Sequence, residues 1–120
     1  MTALSPELRC AVQAAQSKKA GNVVVLDLRK LGAFTDHFVV CTGLSHPQIA
    51  AISDEIEDQL SQLGRNRVRR EGQSRTSEWV LLDYGTFVVH IFSERARLFY
   101  DIERLWRAAS RVEIPDAAAV

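Results

Sequence analysis

Residues 35–64, TDHFVVCTGLSHPQIAAISDEIEDQLSQLG, contain a strand followed directly by a helix. The first part of this segment, residues 36–42, is apolar at its centre on both faces, which is typical of a strand inside a sheet that is covered on both sides. Residues 43–45 then turn the chain into a helix, because Ser45 and Gln48 stand at the spacing of a capping box. One apolar stripe at intervals of three and four runs along this helix: Ile49, Ile52, Ile56, Leu60 and Leu63.

Working outward from this strand–helix unit, the sequence predicts one further helix on each side. The first begins at Ser5-Pro6, a favourable cap followed by proline at the first helical position. The last begins at Ser93, with an apolar stripe formed by Leu98, Ile102, Leu105 and Ala109. Strands are predicted over residues 23–28, 36–42, 67–71, 78–83 and 86–92. This order predicts an α+β domain over residues 1–110, two layers with a mixed five-stranded sheet, and a flexible C-terminal tail over 111–120.

Length and composition favour a single globular domain. The chain has 120 residues, of which 47% are hydrophobic and 25% charged, enough for one compact core. Its apolar runs are far shorter than the roughly 18 residues that a membrane span needs. The N-terminal residues MTALSPELR lack the layout of a secretory signal. We therefore expect a cytoplasmic protein that does not enter the membrane.

The charge pattern is balanced overall and uneven locally. The formal net charge is zero, which argues against wholesale electrostatic binding to nucleic acid. Residues 65–75 nevertheless hold five arginines and one glutamate, whereas residues 45–63 hold four acids and no lysine or arginine. These two segments are either ordinary solvated surfaces or a bipolar surface that orients a charged partner.

The hairpin near the C-terminus separates two faces of the sheet. If Tyr84-Gly85 forms the loop, Asp83 pairs with Thr86 and Trp79 stands opposite His90. The core face then carries Val80, Leu82, Phe87, Val89 and Ile91. The other face carries Trp79, Leu81, Asp83, Thr86, Val88, His90 and Phe92. Such a mixture is typical of an interface centre with a polar rim, although Trp79 and His90 could instead pack under the last helix.

The sequence contains no convincing catalytic or metal-binding arrangement. It lacks the nucleophile elbow of serine hydrolases, and His37, His46 and His90 fall on different predicted elements. Cys10 and Cys41 fit no zinc spacing and are interpreted as small hydrophobic residues. The Gly-x-Ser turn at residues 43–45 resembles that of nucleotidyltransferases, but the next strand lacks their two alternating carboxylates. We therefore predict a nucleotidyltransferase-like scaffold without the metal site, with no catalytic residue and no cofactor.

Three blocks of the sequence resemble one protein family. TDHFVVCTGLS (residues 35–45) is similar to the TD-x-F-V-I-x-T-G-x-S signature of the Iojap family, the bacterial ribosomal silencing factors known as RsfS. Residues 71–92 resemble its E-G … W-V-L-L-D-Y-G-D-x-V-V-H-x-F block, and residues 97–106 resemble R-x-F-Y-x-L-E-x-L-W. The likeness covers about residues 3–106. Thr86 departs from the pattern, because aspartate is usual there, which puts a turn or rim contact in doubt.

The resemblance implies a translation regulator and not an enzyme. Family members bind the large ribosomal subunit through large-subunit ribosomal protein number fourteen and sterically block joining of the small subunit when nutrients are scarce. Free members often form homodimers. The two alternatives are a nucleotidyltransferase-like enzyme and an RNA-binding module. The second would use the arginine block, which lacks the interleaved aromatics that stack on bases.

The resemblance also implies which residues contact the partner. Trp79 would be the apolar anchor, with Leu81 and Asp83 beside it on the same strand and His90 across from it. Further candidates, whose orientation the sequence does not determine, are Glu71, Arg97 and Tyr100. Secondary contacts to ribosomal RNA phosphates are assigned to the arginine block: Arg65, Arg67, Arg69 and Arg70.

Overall fold

The computed structural model describes residues 4–72, 76–112 and 114. It contains one mixed six-stranded sheet with helices on both faces. In chain order the elements are α1 (Pro6–Ser17), β1 (Gly21–Asp27), β2 (His37–Gly43), α2 (His46–Gln62), β3 (Arg69–Glu71), β4 (Trp79–Asp83), β5 (Phe87–Ser93), α3 (Glu94–Tyr100), α4 (Ile102–Leu105) and β6 (Ser110–Val112). The predicted α+β class is confirmed.

The sheet has the strand order β3-β4-β5-β2-β1-β6. Its two central strands, β2 and β5, run parallel, and every other neighbouring pair is antiparallel. In β2, all residues after His37 are buried. The prediction that this strand lies inside a sheet covered on both sides is therefore confirmed.

The predicted helix starts are confirmed by their caps. Each of three serine side chains accepts a hydrogen bond from the backbone N–H three residues later, at 3.1–3.2 Å: Ser5 from Leu8, Ser45 from Gln48, and Ser93 from Ala96. Such caps satisfy N–H groups that have no partner inside the helix. The local sequence therefore determines where these helices begin.

The prediction of two layers is wrong, because apolar residues are buried on both faces of the sheet. Helices α1 and α2 cover one face, over a core that includes Val39, Ile52 and Leu82. On the other face, Ala96 of α3 and Ile102 of α4 pack on a second core. We call these the α1/α2 face and the α3/α4 face. The central strands are apolar on both sides, so each side requires a cover.

The count of five strands is also wrong, since Ser110–Val112 forms a sixth. This strand pairs antiparallel with the end of β1, with Leu26 opposite Arg111. Three residues are too few to show an alternating pattern in sequence. The predicted tail therefore begins in the sheet, while its residues 113 and 115–120 lie outside the described residues.

The predicted last helix is two short helices. The chain breaks at Asp101, which adopts the left-handed conformation with φ 47° and ψ 49°. Only part of the predicted stripe faces the sheet, where Ile102 and Ala109 pack on the second core. Leu98 is 82% exposed and Leu105 is 76% exposed, whereas Ile102 is buried.

The predicted hairpin register is wrong by two residues. Trp79 stands opposite Phe92, and Leu81 stands opposite His90. The tight turn is centred on Gly85 and Thr86, because the Tyr84 N–H donates to the Phe87 carbonyl at 2.9 Å and Gly85 has φ 85°. Side chains alternate with a period of two, so a shift of two leaves every residue on its predicted face.

Candidate partner-binding surface

Strand β4 carries a row of half-buried side chains on the α3/α4 face. Trp79, Leu81 and Asp83 are partly exposed, while the alternating Val80 and Leu82 are fully buried on the α1/α2 face. Helix α3 packs on β5 and β2, the strands further from this edge of the sheet. The row on β4 is therefore left partly uncovered.

An aromatic cluster joins this row to helix α3. The Trp79 ring lies 5.0 Å from the ring of Phe92, which stands opposite it on β5, and 4.6 Å from that of Tyr100, measured between centroids. Tyr100 in turn contacts Phe99 edge-on at 5.0 Å. Phe99 is 78% exposed and Tyr100 is 46% exposed. We call Trp79, Leu81, Phe99 and Tyr100 the Trp79 surface.

Charged side chains line one margin of the Trp79 surface. In the pairing of β3 with β4, Glu71 stands opposite Leu81 and Arg69 stands opposite Asp83. Directly paired residues project to the same face of a sheet, so this glutamate and arginine lie on the α3/α4 face. They form an ion pair at 3.1 Å with both side chains more than half exposed. An apolar centre with a charged margin is the usual anatomy of a protein interface.

Asp83 stands at the hairpin end of the row. Its Oδ1 accepts a hydrogen bond from the backbone N–H of Gly85 at 2.8 Å. One oxygen therefore stabilises the turn while the side chain remains partly exposed.

His90 is buried beneath the surface and is not part of it. Its ring is 4% exposed, and its Nδ1 accepts a hydrogen bond from the Trp79 indole N–H at 3.1 Å. Burial lowers the pKa of the imidazole to about 4, so the ring is neutral at physiological pH. The interpretation that Trp79 and His90 pack under the last helix therefore holds for the histidine, while the tryptophan stays half-exposed.

Arg97 is not brought to the Trp79 surface. Its guanidinium donates to the Glu103 carboxylate at 2.8 Å, to the Asn22 carbonyl at 2.8 Å and to the Thr42 hydroxyl at 2.9 Å. Only 12% of its side chain is exposed. These contacts tie α3 and α4 to the ends of β1 and β2, and the partner contact implied for Arg97 stays a prediction.

The predicted RNA-binding arginines divide between the two faces. Arg67 and Arg70 form ion pairs with Glu57 of α2, at 3.3 and 3.1 Å. Arg65 donates to the Tyr84 carbonyl at 2.9 Å. These three are therefore engaged within the molecule on or near the α1/α2 face, while Arg69 lies at the margin of the Trp79 surface. Arg75, the fifth arginine of the block, lies outside the described residues.

The turn at residues 43–45 serves packing. A Cβ on Gly43 would lie 2.6 Å from Cγ1 of Ile49, so only glycine lets the strand and helix approach this closely. Gln48 accepts a hydrogen bond from the Leu44 N–H and donates to the carbonyls of Lys18 and Lys19. These bonds fasten the end of α1 to the start of α2.

The cysteines are poor nucleophiles. Burial raises the pKa of the Cys41 thiol to about 12 and also raises that of the half-buried Cys10. Across residues 4–72, 76–112 and 114, no three His, Cys, Asp or Glu side chains gather where they could hold a metal ion. Within the same ranges, no helix is long and apolar enough to cross a membrane.

Sequence reasoning missed Phe99 and the placement of Arg69 on the margin. A signal for the first was available, because Leu98, Phe99 and Tyr100 are consecutive. Three consecutive residues span more than half of a helix circumference, so they cannot all face one core. The placement of Arg69 depends on strand register, which the local sequence did not determine.

Comparison with known proteins identifies the family of this chain. The family model described as "Ribosomal silencing factor during starvation", RsfS, matches residues 2–120. The chain is 37% identical to the ribosomal silencing factor RsfS of Halalkalibacterium halodurans and 35% identical to that of Bacillus subtilis. Each alignment covers 89% of this chain and 90% or more of the relative. It is also 35% identical to the chloroplast protein Iojap of Zea mays, over 86% of this chain and 44% of that protein.

Two crystal structures share the fold. A protein from Chromobacterium violaceum matches with a TM-score of 0.82 at 30% identity, over 96% of this chain and 92% of that one. A protein from Bacillus halodurans matches with a TM-score of 0.77 at 37% identity, over 89% and 96%. The family model and the relatives define a regulatory factor associated with the ribosome, and not an enzyme. The chain belongs to the RsfS family of ribosomal silencing factors.

Proposed function

We propose that this protein represses translation by binding the large ribosomal subunit through the Trp79 surface. The contacted component is large-subunit ribosomal protein number fourteen, and the bound protein blocks joining of the small subunit when nutrients are scarce. Family membership supports the ribosome as the target. The observation that carries the site is the half-buried Trp79, whose ring contacts those of buried Phe92 and exposed Tyr100.

The proposed contact has an apolar centre and a charged margin. Trp79, Leu81 and Tyr100 supply the centre together with Phe99, since large aromatic side chains dominate binding energy at interfaces. Glu71 and Asp83 supply polar contacts at the margin. His90 is buried beneath this contact, and the largely buried Arg97 holds α3 against the ends of β1 and β2.

The mechanism requires bulk and no catalytic group. The described part of the molecule measures 35 × 32 × 31 Å. A protein of this size, bound to the face of the large subunit that meets the small subunit, keeps the two subunits too far apart to contact each other. Repression then depends on the fraction of large subunits that carry the bound protein. At cellular concentrations, the protein must therefore bind the large subunit more tightly than the small subunit does.

Secondary contacts to ribosomal RNA would come chiefly from Arg69. Its side chain is 59% exposed, and it lies on the same face as the proposed interface. Arg67 is 45% exposed, but it is paired with Glu57, as is Arg70, and Arg65 is bonded to a carbonyl. Arg69 also has an internal partner, Glu71, but that ion pair is exposed and lies on the same face as the proposed interface, so a phosphate displaces it more easily. We therefore assign the other three a smaller role.

In its free state the protein is proposed to be a cytoplasmic homodimer. A contiguous exposed apolar surface favours association. Among the residues that the structure describes, we assign the dimer contact to the Trp79 surface, which a second copy of the chain would cover. Self-association and ribosome binding would then compete for the same residues.

A subunit-joining assay tests the proposal. Purified small and large subunits are mixed with wild-type protein or Trp79→Ala, and joined ribosomes are measured by light scattering. Trp106→Ala is the matched control, because this second tryptophan also packs on the α3/α4 core, against Phe38. We expect wild type and folded Trp106→Ala to inhibit joining and Trp79→Ala to fail. Equal inhibition of joining by wild type, Trp79→Ala and Trp106→Ala would reject the Trp79 surface as the binding site. In a separate measurement, detectable binding of nucleotide or Mg²⁺ would support the nucleotidyltransferase-like alternative.

A further inference from the structure

His90 occupies a position where an apolar side chain would pack more simply. Its ring lies 4.5 Å from that of Phe38 in an edge-to-face arrangement and 6.0 Å from that of Phe92 in a stacked one. Val40 stands opposite His90 on β2, and the core cluster of this face also contains Val88. An imidazole gains little from such an environment, because burying a polar group is unfavourable unless it is hydrogen-bonded.

The bond to Trp79 determines the tautomer of this ring. An indole N–H can only donate, so Nδ1 of His90 must be the unprotonated acceptor. The neutral ring then carries its proton on Nε2. That atom is buried and has no hydrogen-bond partner among the residues that the structure describes. One nitrogen is thus used for Trp79 while the other is left unsatisfied.

This imbalance indicates what the histidine is for. An apolar residue of similar shape would fill the cavity without leaving a buried polar atom unpaired, so core packing alone does not explain His90. The remaining explanation for His90 is its hydrogen bond to Trp79, which holds the half-buried indole in one orientation. The same bond occupies the indole N–H, so a partner meets the ring carbons of Trp79.

We propose that His90 is a positioning residue for Trp79, which presents the indole ring to the ribosomal partner in one fixed orientation. This inference rests on the proposed function. It replaces the direct contact implied for His90 with an indirect one. Fixing the anchor before binding reduces the ordering that association would otherwise require.

Two substitutions separate positioning from packing. His90→Leu removes the acceptor and keeps an apolar side chain of comparable size, with His90→Phe as a second variant should the first fold poorly. His90→Asn places an amide oxygen near the position of Nδ1 and can restore the bond. The measurements are the hydrogen-exchange rate of the Trp79 indole proton by NMR, the thermal midpoint, and the affinity for isolated large-subunit ribosomal protein number fourteen.

We expect His90→Leu and His90→Phe to accelerate exchange of the indole proton and to weaken binding about tenfold, the upper range for one hydrogen bond. Their thermal midpoints should be equal to or above that of wild type. His90→Asn should recover slow exchange and most of the affinity. A merely structural role would lower the midpoint in every variant without this pattern of rescue.

Two results would overturn the inference. One is wild-type affinity in His90→Leu despite fast indole exchange, which would mean that the bond exists and does not matter for binding. The other is slow exchange in His90→Leu, which would mean that the N–H is protected by something else. These results can be told apart from a failure of the proposed function. In that case Trp79→Ala itself would bind the ribosomal protein with wild-type affinity.

Discussion

The two faces of the sheet differ in how completely they are covered. On the α1/α2 face, helices of 12 and 17 residues pack on the sheet, and the core residues beneath them are fully buried. On the α3/α4 face, helices of 7 and 4 residues leave Trp79, Leu81 and Trp106 only partly covered. Short, interrupted helices thus preserve an apolar surface that longer helices would hide. We infer that the first face supplies stability and the second supplies binding.

The largest effect that this comparison predicts is on the α1/α2 face. Leu82→Ala removes a fully buried side chain, so we expect a loss of about 2–5 kcal/mol in the free energy of unfolding. Denaturant titration measures this loss. The fraction that remains folded should bind the ribosomal partner with wild-type affinity. Weaker binding by that folded fraction would show that the two faces are not separate in function.

The second prediction concerns pH and the buried imidazole of the α3/α4 face. The pKa of His90 falls from 6.5 to about 4 on folding, so the unfolded chain takes up a proton in this window and the folded chain does not. Stability therefore declines as pH falls from 6.5 to 4, by about 3 kcal/mol from this group. Above pH 6.5 it contributes no pH dependence.

Comparison with His90→Asn isolates this contribution from those of the acids. The carboxyl pKa values of Asp27, Glu78 and Glu103 are lowered, chiefly by arginine hydrogen bonds, so their stabilisation is lost as pH falls through those lowered values. The difference in unfolding free energy between wild type and variant should shrink or reverse between pH 6.5 and 4. A difference independent of pH would mean that His90 is protonated in the folded state.

Trp79→Ala should weaken partner binding, in contrast to Leu82→Ala on the other face, which should lower stability. We expect a loss of about 2 kcal/mol or more in binding free energy, the range of an aromatic anchor at an interface. The thermal midpoint should fall less than in Leu82→Ala, because Trp79 is only half-buried. Titration calorimetry with the isolated ribosomal protein, together with thermal unfolding, provides both numbers. A collapsed midpoint with unchanged binding of the folded fraction would make Trp79 a core residue.

The smallest predicted effect belongs to the charged margin. If Arg69 contacts a ribosomal RNA phosphate, Arg69→Ala should reduce by about one unit the slope of log affinity against log salt for whole large subunits. The slope for the isolated protein partner should not change. Arg70→Ala is the matched control, since this arginine is paired with Glu57 on the other face. Identical slopes for both variants would remove the RNA contact from the account.

The sequence predicted the elements and faces well because both depend on local patterns. Capping serines determine where helices begin, and the alternation along β4 and β5 assigned Trp79 and Val80 to opposite faces. The pairing partners were wrong, because the turn at Gly85-Thr86 differs by one position from the predicted loop. That error shifted every predicted residue pair between β4 and β5, but it left each residue on its predicted face of the sheet.

Features that depend on tertiary contacts were not visible in the sequence. The break at Asp101 and the exposure of Leu98 and Leu105 depend on how short helices meet the sheet. Strand β6 is too short to show a period. Burial of His90 results from the cover that α3 and α4 provide, so a residue assigned to the surface by its strand position lies beneath it.

The most direct test of the central claim maps the bound surface residue by residue. Isotope-labelled protein is titrated with isolated large-subunit ribosomal protein number fourteen, and backbone and indole resonances are followed by NMR. We expect resonances of β4, α3 and the Trp79 indole to shift or broaden, while those of the exposed sides of α1 and α2 do not. Perturbation centred on α1 and α2, with the Trp79 indole unchanged, would contradict this expectation.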